Sequence, residues 1–327
     1  MYNFAYIRNH ETKINEFEPS QKDIVFLFRG LTRSYKAWLG LEEELSEQFD
    51  VLCIDLPGIG LSKNEKLLFK VEQIAEKMVE VINNLKIKKL YIVAPSLGSM
   101  IAWEIVKTLP LSKIAGLVVL VPSHSGMGVR RLSFQAFTTL SSASFSSEEV
   151  RLARLKDLLI GKTTEGKNIF EEDMVLERKW KNSIVEDFHD LGTKGQLSQI
   201  FAAGTYMSKA GLDYVKRNQI PLKFLVSTDD RMIPVSHVYS IYEYIKHPYS
   251  ELIDMKNAGH DFIVTHKEQV KEIITNFIND KEKYKRIPVT QSVEKKKSNK
   301  IVNTVAVGVG LLALGLIFRE ISKKKKY

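Results

Sequence analysis

Residues 89–110 read "KLYIVAPSLGSMIAWEIVKTLP". An unbroken apolar run passes straight into a stretch with apolar residues at helical spacing, and only "APSLG" (94–98) joins them. This is a buried strand turning into a helix with no loop between, and Ser96 sits at the turn. A serine there is either a nucleophile held up for attack or a polar residue filling a tight turn.

The same alternation extends in both directions. Upstream, "IVFLFRGL" (24–31) is a second buried strand, a helix is expected around Trp38 to Gln48, and "FDVLCIDLPGIGLS" (49–62) is a third strand entering a Pro-Gly turn. Leu68 to Leu85 repeats apolar residues in the i, i+3, i+4 rhythm of a helix. Downstream, "IAGLVVLVPS" (114–123) is a further strand. Strand and helix in turn predict an α/β fold with a parallel sheet covered by helices. From Ser123 the alternation lapses into helix signals such as "SSEEVRLARLKDLLIG" (146–161), with Ser146 or Ser147 as N-cap and Gly161 as the stop. Strands return at "IPLKFLVSTDD" (220–230) and "YSELIDMKNAGHD" (249–261), and a helix is expected over Lys267 to Ile278. The organisation expected is a core over 1–122 and 218–280, an inserted helical cap over 123–217, a basic linker over 281–300, an apolar segment over 301–318 and a basic tail over 319–327.

Charge is divided unevenly along these segments. The net charge is +9, yet residues 281–327 hold 13 Lys and Arg against 3 Asp and Glu, leaving 35 against 36 in residues 1–280. The body is neutral, and no basic stripe interleaved with aromatics argues for nucleic-acid binding. Cys53 is the single cysteine, which excludes an intrachain disulfide and a cysteine-based zinc cluster. It reads as a small buried hydrophobe in a body working in a reducing, cytosolic compartment. The N-terminus has no basic region followed by an apolar one, so no secretory signal is expected. Residues 301–318, "IVNTVAVGVGLLALGLIF", carry no charge and have lysines on both flanks. As a helix they would span about 27 Å, close to the hydrocarbon thickness of a bilayer, which predicts a single-pass C-terminal membrane anchor.

Four motifs, "RGLTRSYKAW" (29–38), "DLPGIGLS" (55–62), "APSLG" (94–98) and "STDDRMIP" (227–234) followed by "NAGHD" (257–261), resemble the α/β-hydrolase superfamily in that order, over roughly residues 20 to 280. The resemblance implies a Ser, acid, His triad in chain order, here Ser96, Asp230 and His260. Serine needs such help because its hydroxyl is hardly ionised at neutral pH: a histidine must take the proton and a carboxylate must orient that histidine. Asp230 lies four residues before Pro234, the family's offset for the acid; its neighbour Asp229 reads as a solvated or capping carboxylate. The other family position for the acid, in "VLVPSHSG" (119–126), offers no carboxylate. Of the remaining histidines only His124, at a strand end, is expected to line the cleft.

The resemblance also implies an oxyanion hole from the backbone N–H groups of Leu31 and Leu97. Three positions depart from the family's usual residues. Ala94 replaces a glycine, Pro95 stands where histidine is frequent, and Arg29-Gly30 replaces His-Gly. Arg29 is expected to form a structural ion pair, with an acidic group of the substrate as the other candidate partner. Asp55, Pro57, Gly58 and Gly60 are expected to shape a turn. No metal or cofactor is expected, because the chain has no clustered Cys and His and no phosphate-cradling loop. The function these residues imply is a membrane-anchored serine hydrolase acting on a lipophilic ester or thioester. A catalytically inactive binding or scaffold protein, and carbon–carbon hydrolysis by the same triad, are the alternatives.

Overall fold

The computed structural model describes residues 3–127, 131–143, 146–162, 168–280 and 282–284. The expected membrane segment at 301–318 and nearly all of the linker lie outside the described residues, among which no helix is long and apolar enough to cross a membrane. The described residues build an eight-stranded sheet of β1 (Phe4–Arg8), β2 (Glu11–Ile14), β3 (Ile24–Leu27), β4 (Asp50–Ile54), β5 (Leu90–Pro95), β6 (Ile114–Leu120), β7 (Leu222–Val226) and β8 (Ser250–Asp254). Their order across the sheet is β2-β1-β4-β3-β5-β6-β7-β8. All neighbours from β4 to β8 pair in parallel, with β5 between β3 and β6 at the centre.

The unbroken apolar strands follow from cover on both faces of the sheet. Phe26, Ile92 and Leu117 point into one core, and Val25, Val93 and Val118, each next to one of them in sequence, point into the other. The helices are α1 (Leu41–Leu45), α2 (Val71–Asn84), α3 (Leu97–Thr108), α4 (Phe134–Ala143), α5 (Glu148–Leu159), α6 (Met174–Thr205), α7 (Ala210–Arg217), α8 (Val235–Ile245), α9 (Phe262–Thr265) and α10 (Lys267–Asn279). Residues of α2, α3, α7 and α8 fill the first core, and those of α1, α9 and α10 the second. A third cluster, around Leu155, Phe170, Trp180 and Ile184, packs α5 and α6 against Val264 of α9.

Several elements differ from the sequence expectation. The helix expected from Trp38 to Gln48 shortens to α1, because Leu39 and Gly40 take positive φ (51° and 94°) and end the 3-10 turn that precedes it. The antiparallel β1–β2 hairpin was not foreseen. Its turn runs through Asn9 and His10 at φ 50° and 66°, a geometry usually announced by glycine. Of the helices between β6 and β7, α7 lies in the layer against α3, where the Trp103 backbone carbonyl leaves no room for a Cβ on Gly211. The inserted helices α4 to α6 rest on the first core through Ala136, Leu158, Leu191 and Ala202. In α6 the helix is broken at Gly192 (φ 56°, ψ 177°). Ser147 caps α5, accepting from the Val150 N–H at 3.4 Å, as one of the two serines was expected to do.

Candidate active site

Ser96 separates β5 from α3 with φ 50° and ψ −120°. For a residue with a Cβ this conformation costs about 1–3 kcal/mol, and it persists only where the surroundings hold it. Here they do. The Ser96 N–H donates to Leu120 O at 2.9 Å, and Ser96 O accepts from the Ser99 N–H at 3.0 Å and the Ser99 hydroxyl at 2.6 Å. Close packing explains the small residues around it. A Cβ on Gly98 would lie 3.1 Å from Arg29 O and 3.2 Å from Phe28 O, and one on Gly30 would lie 3.1 Å from Ser96 Cβ. Ala94 is fully buried in the first core, so alanine fits where the family favours glycine.

Asp230 follows β7 and is buried. Its Oδ1 accepts from the N–H groups of Met232 (2.7 Å) and Ile233 (2.9 Å), leaving Oδ2 for His260 Nδ1 at 2.7 Å. Asp229, next to it, is exposed. A carboxylate on Nδ1 selects the tautomer with its proton there and leaves Nε2 as the acceptor. His260 and Ser96 line the same cleft of about 590 Å³, together with Arg29, Leu31, Leu155 and Phe188. Leu97 is the first residue of α3, so its N–H has no acceptor within the helix. Leu31 and Leu97 line a second recess that also reaches Ser96.

The loop carrying Leu31 is tied down on three sides. Arg29 Nη2 donates to Asp261 Oδ1 at 2.7 Å, the pair is almost fully buried, and the guanidinium stacks over Trp38 at 5.1 Å. Trp180 of α6 donates its indole N–H to Asp261 Oδ2 at 3.1 Å. The Thr32 N–H donates to Gln199 Oε1 at 2.7 Å, and Arg33 Nη2 donates to Ser183 Oγ at 2.9 Å while its Nη1 lies 3.2 Å from Asp187. Burial alone would raise the Asp261 pKa, but Arg29 and Arg33 outweigh it and hold the carboxyl below its usual range. At Asp187 burial prevails over Arg33 and the pKa rises; burial lowers that of Arg33. Arg29 thus takes the structural partner expected of it, and one charge lost from such a pair costs about 3–5 kcal/mol.

Asp261, Trp180, Ser183, Asp187 and Gln199 were missed by sequence reasoning. The only local signal was an aspartate directly after the candidate histidine. His124 departs from expectation. It is fully buried away from both recesses, its Nε2 2.8 Å from Ser208 O, its Nδ1 accepting from the Gly126 N–H, and its ring against Tyr206. Burial lowers its pKa to about 4. Asp55 shapes the turn as expected: its two oxygens accept from the N–H groups of Tyr35 and Leu61, and a Cβ on Gly60 would collide with it. Among the described residues no cluster of His, Cys, Asp and Glu could hold a metal ion.

Comparison with known proteins agrees with the fold. The sequence pattern of the alpha/beta hydrolase fold matches residues 23–267. An uncharacterized protein of Mycobacterium tuberculosis is 24% identical over 245 residues, covering 72% of this chain and 69% of that protein. A thermophilic esterase from Thermogutta terrifontis superposes with a TM-score of 0.62 at 18% identity, covering 85% of this chain and 93% of the esterase. A putative lipase from Acinetobacter baumannii gives a TM-score of 0.65 at 18% identity, covering 85% and 88%.

Proposed function

Because the chain belongs to the alpha/beta hydrolase fold family, we propose that it is a serine hydrolase cleaving a carboxylic ester or thioester of a lipophilic acyl group through an acyl-enzyme. The observation that carries this reading is the Asp230–His260 hydrogen bond of 2.7 Å at a cleft that also holds Ser96 on its strained turn. A protein that kept the fold only for binding would have no use for that combination.

In this mechanism His260 Nε2 takes the Ser96 proton as Oγ attacks the carbonyl carbon. The oxyanion is met by the N–H groups of Leu31 and Leu97. His260 then gives the proton to the departing alcohol or thiol, and water, activated by the same imidazole, releases the acid. Asp230 keeps the imidazole in its tautomer and stabilises the imidazolium. The apolar walls from Leu155, Leu159, Ile184 and Phe188 favour lipophilic substrates. The uncharged segment 301–318 would tether the body at a bilayer, where such substrates concentrate.

The test is a panel of acyl esters and thioesters offered to the full-length chain and to Ser96→Ala, with both fractionated between membrane and soluble phases. Turnover lost in Ser96→Ala supports the chemistry; turnover equal in both removes it. Full-length protein recovered without detergent in the soluble fraction removes the anchor.

A further inference from the structure

Ser96 stands where two recesses meet. The first carries His260 and Asp261. The second, of about 420 Å³, runs past Met100 at the start of α3 between apolar walls that include Leu132, Ile200 and Ile233, and among these stands a charged group, Arg131.

Arg131 is held by neutral acceptors: its Nη1 donates to Ser125 Oγ at 2.7 Å and to Ala203 O at 2.6 Å. Arg29 and Arg33, on the other side of Ser96, each have a buried carboxylate within 3.2 Å. Among the described residues no carboxylate pairs with Arg131 in this way. Its burial lowers the guanidinium pKa to about 10, so it is still a cation at neutral pH. A cation in an apolar recess without a counter-charge is unfavourable unless a ligand supplies one.

The position of His260 says which part of a substrate enters this recess. The departing oxygen must receive its proton from the imidazole, so the leaving group lies on the His260 side. The acyl chain then points the other way, past Met100 toward Arg131. Resting on the serine-esterase reading above, we propose that the substrate's acyl chain ends in an anionic group, a carboxylate or a phosphate, that pairs with Arg131. The bond from Ser96 Oγ to the acyl carbon forms as the carbon–oxygen bond to the alcohol breaks. The Ser96 proton leaves on that alcohol, and water releases an acid bearing its second anion at the far end.

The test uses the full-length chain and a ladder of methyl esters whose acyl chains end in a carboxylate, a phosphate or a neutral isostere. At one chain length or more, an anionic ester should exceed its isostere in kcat/KM by about tenfold. Arg131→Met should erase that ratio, mainly through KM, and Arg131→Lys, which keeps the charge, should retain part of it. The carboxylate and phosphate arms identify the group. Neutral esters preferred at every length, or a ratio unchanged in Arg131→Met, overturn the proposal. Calorimetric binding of the same esters to Ser96→Ala separates the two readings. Arg131-dependent binding of the anionic esters without wild-type turnover would keep the subsite and remove the hydrolase. Absence of any preference in binding would remove the subsite.

Discussion

At the scale of single residues, the site depends on Asp230 more than its distance from Ser96 in the chain suggests. Its Oδ1 is fixed by two backbone donors, so Oδ2 meets His260 in one orientation. Asp230→Ala should lower kcat by about 10⁴ with little change in KM, because it removes orientation and not binding. Steady-state kinetics on the best ester of the panel checks this, and a fall confined to KM would contradict it. The strand-end placement of Ser96, Asp230 and His260 was legible in the sequence, because β5 and β7 are buried apolar runs and the half-buried β8 is followed by a glycine-containing turn pattern. The groups that hold the loop carrying Leu31 were not. Arg29 finds Asp261 across 232 residues and Asp261 meets Trp180 across 81, so no spacing rule connects them. His124 misled for the same reason: its strand-end position was visible, but its burial beneath Tyr206 was not.

At the scale of elements, the cap and the histidine loop meet through two glycines, Gly161 and Gly259, a Cβ on the latter colliding with Leu159 O. The Asp261 N–H donates to Leu159 O at 2.9 Å at the end of α5, and a Cβ on Gly161 would lie 2.6 Å from Asn257 O and 2.8 Å from the Ala258 carbonyl carbon. Gly161 was read as a helix stop, and the close approach that also requires it came into view only with the fold. Gly161→Ala must push the loop that ends in His260, so it should reduce kcat and destabilise the chain by about 1–3 kcal/mol. Gly204, in α6, has open space where its Cβ would stand. Gly204→Ala should leave activity intact and stabilise by up to about 1 kcal/mol through helix propensity. Parallel denaturant melts and kinetics on the two variants check the pair. The hairpin of β1 and β2 was illegible because Asn9 and His10 adopt left-handed conformations without the glycine that signals them.

At the scale of the whole molecule, buried carboxyls near the loops below the site set a pH dependence of stability. Burial raises Glu42 to about 7, against the Gly40 N–H that bonds its carboxylate at 3.0 Å, and raises Asp55 to about 7 as well. The folded chain keeps these protons up to about pH 7, while the unfolded carboxyls release them near pH 4. Their contribution to stability is therefore full below about pH 4 and is lost as pH rises through 7. Glu42→Gln, which keeps an acceptor for Gly40 and cannot ionise, should remove its share. From pH 5 to 8 the wild-type melting midpoint should fall relative to the variant by roughly 5 °C. A constant difference between the two would show that Glu42 is ionised throughout.

The central claim is that Ser96 is an activated nucleophile. It is tested most directly by treating the folded chain with a fluorophosphonate and reading intact mass, beside Ser96→Ala and His260→Ala. The account predicts one adduct on the wild type, none on Ser96→Ala and a much slower reaction on His260→Ala. A folded wild type that gains no adduct, or an adduct that persists in Ser96→Ala, would contradict it.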